Sequence, residues 1–115
     1  MIKRNEKLSY ILEKEKERQR EEHNFIASEN FASADVRYFC GSAFTNKYAE
    51  GYPGKRYYNG CDQYDKMESY GIELVTNLYK SRFANIQPHS GANANLAIFK
   101  AFLEPGDKIL GMDLV

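Results

Sequence analysis

The sequence predicts an α/β protein with an incomplete sheet, entered through a helical arm. Three observations predict it. Residues 83–87, Phe-Ala-Asn-Ile-Gln, form a short apolar run stopped by Pro88, and residues 108–112, Lys-Ile-Leu-Gly-Met, form another. Between them lie a Ser90-Gly91 turn and a mostly apolar helix over residues 96–103, so strand, loop, helix and strand compose a βαβ unit. Such units belong to parallel sheets covered on both faces, and two strands cannot complete one. The chain therefore reads as an arm over residues 1–30, followed by the opening third or less of a larger α/β domain over residues 31–115.

The totals exclude several classes. The 115 residues carry 16 acidic and 16 basic side chains, which argues against a globally basic nucleic-acid binder or an acidic tail. No apolar run approaches the ~20 residues that a membrane helix needs. Met1 to Glu6 lead into charged sequence without the apolar core of a signal peptide. Cys40 and Cys61 show no metal-ligand spacing, so reduced thiols and a cytoplasmic location are expected, with no metal, nucleic acid or membrane as partner.

Taken in order, residues 5–22 read as a helix with one short apolar stripe, Leu8, Ile11 and Leu12. Charge follows, and Glu13 with Lys16, Glu15 with Arg18 and Glu17 with Arg20 fall one turn apart, where opposite charges pair weakly. Such a helix is either simply solvated or an arm whose stripe docks on another subunit. Ser28 either caps a short helix over about 32–40 or offers its hydroxyl to a ligand. Residues 62–79 give the clearest helix, with Asp62 as its cap. Its stripe of Tyr64, Met67, Gly71, Leu74, Val75 and Leu78 reads as core. Gly71 there costs about 1 kcal/mol against alanine unless close packing requires it.

Residues 45–58, Thr-Asn-Lys-Tyr-Ala-Glu-Gly-Tyr-Pro-Gly-Lys-Arg-Tyr-Tyr, carry no helical or strand period, and Gly51, Pro53 and Gly54 mark them as a loop. Tyrosine brings a stacking face with a polar tip, Lys and Arg suit anions, and Glu50 is a candidate proton carrier. The run from Gly51 to Lys55 is no phosphate loop, because its glycines are too close and Arg56 stands where a Ser or Thr must hold magnesium. Ser90-Gly91-Ala92 opens a helix, where free N–H groups and the helix dipole favour an anion, although many such turns hold none. His89 beside it could stack, coordinate or merely cap.

Together, residues 26–31 (Ile-Ala-Ser-Glu-Asn-Phe), the 45–58 loop with Gly60-Cys61, residues 85–91 with Ala94-Asn95-Leu96-Ala97, residues 103–107 and residues 110–112 resemble serine hydroxymethyltransferase. The resemblance runs from about residue 13 to residue 115. It implies the N-terminal part of a pyridoxal-phosphate fold type I (aspartate aminotransferase-like) large domain. It also implies pyridoxal 5'-phosphate as cofactor, a homodimer or tetramer, and interconversion of serine and glycine with tetrahydrofolate as one-carbon acceptor. By the same resemblance Ser28 binds the substrate carboxylate, and Tyr48 reaches the cofactor phosphate of the neighbouring subunit. Glu50 lies near the substrate hydroxyl and the folate as proton carrier, and Tyr57 and Tyr58 line the substrate and folate side. Ser90, Gly91 and Ala92 form the phosphate cup. A carboxylate among aromatics fits that role, since it can take up and release a proton.

The chain departs from the family pattern at Ala92, where serine is frequent, and at Asn24, Phe25, Asn59 and Asn93. The family's later segments, with the lysine that binds the cofactor covalently, have no counterpart here. The chain alone is therefore expected not to catalyse the reaction. The other readings are a non-catalytic protein that docks on a full-length serine hydroxymethyltransferase, and single-stranded RNA binding through Lys55, Arg56, Tyr57 and Tyr58, which zero net charge disfavours.

Overall fold

A computed structural model describes residues 5–113. The chain divides into two compact units, the first ending at Ser42 and the second beginning at Ala43. The expectation about an absent leader rests mainly on residues 1–4, which lie outside the described residues.

In the first unit, helix α1 spans Glu6–Glu21. Asn5 starts it by accepting the Leu8 N–H at 3.1 Å, which satisfies one of the donors that a helix start leaves free. Two of the three expected charge pairs form, Lys16 with Glu13 and Arg18 with Glu15, both at 2.7 Å. Glu17 instead bonds Lys14 at 2.6 Å. Both arrangements are one turn apart, so sequence spacing does not choose between them. A turn follows at Ala27 and Ser28, closed by the Glu29 N–H on the Ile26 carbonyl. Helix α2 spans Ala34–Cys40, and its cap is Ser33, whose hydroxyl accepts the Val36 N–H. Ser28 is therefore not the cap: it sits too far upstream of the first helical turn.

The second unit opens with a 3-10 turn at Ala43–Asn46 and a small antiparallel hairpin, β1 Gly51–Tyr52 and β2 Lys55–Arg56, with Gly51 opposite Arg56. Pro53 and Gly54 join the strands, and Gly54 at φ +73 suits the position after proline in a type II turn. Helix α3 spans Asp62–Tyr79. Asp62 lies inside it, and the cap position falls to Cys61, which makes no side-chain capping bond. A Cβ at Gly71 would lie 2.6 Å from Cδ1 of Ile86, so the helix approaches that side chain closely, although the tip of Ile86 can shift to make room. Helix α4 spans Gly91–Phe102.

Two expectations are overturned here. Residues 83–87 and 108–112 are not strands, and the only sheet among the described residues is the hairpin. A strand needs a ladder partner, and these segments meet none. Residues 85–87 are held through side chains instead: Asn85 accepts the Gln87 N–H, and its amide donates to the Tyr52 hydroxyl at 3.2 Å. The α3 stripe is also not core. Met67, Leu74 and Leu78 remain exposed, and Cys61 is the one buried hydrophobic residue among those described.

Candidate functional site

The 45–58 loop is built around one cation. The Arg56 side chain is only 6 % exposed. Its Nε donates to Asp65 Oδ1 and its Nη2 to Glu68 Oε2, each at 2.7 Å. Its Nη1 donates to the carbonyls of Ala49 and Gly51, again at 2.7 Å. Asp65 also accepts the Gly54 N–H at 2.8 Å, and Gln87 donates to both the Gly51 carbonyl and Glu68. The Gly54 N–H and the guanidinium hold the Asp65 carboxyl below its ordinary value, and the two carboxylates hold the guanidinium firmly protonated. The planar fork of arginine suits this many-sided role, which a lysine point charge would not fill.

This node seats Glu50, Tyr48 and Tyr58 together. The Tyr58 hydroxyl donates to Glu50 Oε2 at 3.4 Å, and the Tyr48 and Tyr58 rings meet edge to face with centroids 5.5 Å apart. Lys47 Nζ stands 6.0 Å from the Tyr58 ring centre. Beneath them the Cys61 thiol donates to the Tyr58 carbonyl at 3.3 Å. Tyr57 joins through its backbone, its N–H donating to the Glu50 carbonyl at 3.2 Å, while its side chain is exposed. The cluster presents a carboxylate, two phenols and an ammonium on an open surface. That set can bind a polar, partly planar molecule and exchange a proton with it.

The expected anion cup lies at the start of α4. Ser90 is the N-cap, and its hydroxyl accepts the Asn93 N–H at 3.1 Å. Asn93 returns a bond to the His89 N–H, so His89 takes part in the cap through its backbone. The first-turn amides of Gly91 and Ala92 have no acceptor among the described residues, and two such N–H groups suit a phosphate. Ser28 belongs to the other unit, at the turn between α1 and α2. Nearby, a cavity of about 590 Å³ is lined by Arg18, His23, Asn24, Glu29, Phe31 and Arg37 among others.

Arg56 as the centre of the loop was not foreseen. Its partners stand 9 and 12 residues away, on a different element. The usable signal was Pro53-Gly54 between short runs, which marks a hairpin and places Arg56 opposite Gly51. Four of the guanidinium's bonds are internal, so Arg56 is not on offer to a nucleic acid. Among the described residues no group of three or more His, Cys, Asp or Glu could hold a metal, and no helix is long and apolar enough to cross a membrane.

Comparison with known proteins identifies the family. The family model for serine hydroxymethyltransferase matches residues 1–115. The chain is 56 % identical over 104 residues to the serine hydroxymethyltransferase of Deinococcus deserti, covering 90 % of this chain and 26 % of that protein. It is 56 % identical over 100 residues to that of Phytoplasma mali, covering 87 % and 24 %. It is 51 % identical over 111 residues to a probable serine hydroxymethyltransferase of Mesomycoplasma hyopneumoniae, covering 96 % and 27 %. The chain thus spans about a quarter of the length of these curated relatives.

Proposed function

The chain belongs to the serine hydroxymethyltransferase family, and from that premise we propose that it supplies the N-terminal quarter of a cytoplasmic, homo-oligomeric enzyme that uses pyridoxal phosphate. That enzyme interconverts serine and glycine, with tetrahydrofolate as one-carbon acceptor. The observation that carries the reading is the seating of Glu50 against Tyr58, beside Tyr48, on a loop whose backbone is bonded on both sides of Glu50. Residues 1–30 form the arm, and residues 31–115 open the large domain of the family's pyridoxal-phosphate fold type I.

Pyridoxal phosphate, when bound, supplies the electron sink for bond breaking next to the amino group. The residues present fit its phosphate end: the Gly91 and Ala92 amides and Ser90 at the start of α4 are the donors, and Tyr48 is a hydroxyl donor to the same group in a neighbouring subunit. Ser28 binds the substrate carboxylate. Tyr57 and Tyr58 line the substrate and folate side. Glu50 carries a proton at the substrate hydroxyl, with the Tyr58 hydroxyl orienting the carboxylate. These residues bind, orient and move a proton, and the covalent hold on the cofactor is assigned to none of them.

The test joins residues 1–115 to the remaining three quarters of the Deinococcus deserti relative. The joined enzyme is expected to cleave serine with tetrahydrofolate. Glu50→Gln should lower that rate by about 10²-fold or more, the usual worth of a general acid–base, while leaving cofactor absorbance intact. Loss of cofactor in Glu50→Gln, or cleavage at the parent rate, would contradict the role of Glu50.

A further inference from the structure

We propose that Arg56 is the positioning residue for Glu50. The inference rests on the reading above of Glu50 as proton carrier. The Nη1 group of Arg56 bonds the carbonyls of Ala49 and Gly51, the residues on either side of Glu50. The carbonyl of Glu50 itself accepts the Tyr57 N–H, so three consecutive carbonyls are tied down. The opposite edge of the guanidinium is fixed to α3 through Asp65 and Glu68. Gln87 adds a second donor to the Gly51 carbonyl while bonding the same Glu68.

The consequence is geometric. Glu50 and Tyr58 are exposed side chains on a loop with almost no apolar burial beneath it, so packing alone does not fix the carboxylate. The guanidinium supplies what packing does not: a planar bridge from a helix to the backbone at Glu50. A carboxylate that must meet a substrate proton within hydrogen-bond reach loses rate steeply when displaced by an ångström. Arg56 touches no substrate in this account and acts only through Glu50.

The experiment uses the joined full-length enzyme. Arg56→Lys keeps the charge and loses the fork. Gln87→Met leaves all four Arg56 bonds and removes the second donor to Gly51. Arg56→Lys is expected to lower kcat for folate-dependent serine cleavage by ~10–100-fold, with KM for serine and cofactor absorbance near the parent values. The limb of the pH–rate profile that vanishes in Glu50→Gln is expected to shift in Arg56→Lys. Gln87→Met should lower kcat in the same direction by less. Arg56→Lys at the parent kcat would overturn the proposal. So would Arg56→Lys losing cofactor and fold together while Gln87→Met keeps the parent kcat and pH profile. Glu50→Gln at the parent rate would instead sink the reading of Glu50, which separates the two failures.

Discussion

Glu50 shows how a loop residue acquires a place without a core beneath it. Its backbone is bounded by bonded carbonyls, and its carboxylate meets one phenol. Gly51 next to it makes that arrangement possible. It holds φ +105, and a Cβ there would collide with the Lys55 carbonyl oxygen across the hairpin. Gly51→Ala should therefore cost about 2 kcal/mol or more in thermal or denaturant unfolding of the joined enzyme, because the obstacle is backbone and cannot rotate away. A melt equal to the parent's would show that the hairpin is not as tight as described. At this scale the sequence was partly legible. Tyrosines, cations and one glutamate crowded between turn residues already marked this loop, and the structure gathers Tyr48, Glu50 and Tyr58 there. What stayed hidden was that Arg56 faces inward, because Asp65 and Glu68 sit on another element and no local period connects them to the loop.

Helices were legible where local rules suffice. Helix α1 follows from its short apolar stripe and its charge spacing, and α3 from its long apolar stripe. Helix α1 also carries a pH signature. Arg18, and after it Gln19, hold the Glu15 carboxyl down from the ordinary 4.5 to about 2, so its folded value is depressed. The pairing then stabilises the helix fully above pH 4.5 and is lost as pH falls through about 2. Helical circular dichroism should accordingly decline over that window in low salt. The decline should shrink in 1 M salt, where an exposed pair is already screened. A titration unchanged by salt would show that the pair adds nothing to α1. Strands were less legible. The apolar content of residues 83–87 and 108–112 is real, but a strand exists only with a partner, and composition names none.

The whole molecule wears much of its apolar surface outside. Phe25, Phe83, Leu110 and Met112 are each at least 83 % exposed, and a single buried hydrophobic residue serves as core among those described. A chain with so little buried area has little to offset the entropy of ordering it. On its own it should associate, with sedimentation rising with concentration and a broad melt. A sharp, concentration-independent melt of a monomer would refute that. The helices were legible in the sequence as segments, but the sheet was not: among the described residues only the hairpin of Gly51–Tyr52 and Lys55–Arg56 forms one, where the sequence had pointed to residues 83–87 and 108–112. The most direct measurement is the absorbance spectrum of the purified chain with pyridoxal phosphate, before and after borohydride reduction, with intact mass. The account predicts no reduced adduct on any one specific lysine, because the roles proposed for these residues lie at the phosphate and at the proton and none of them is a covalent attachment. A single reduced adduct on one lysine would contradict it, and would mean that a lysine of this chain takes over the attachment.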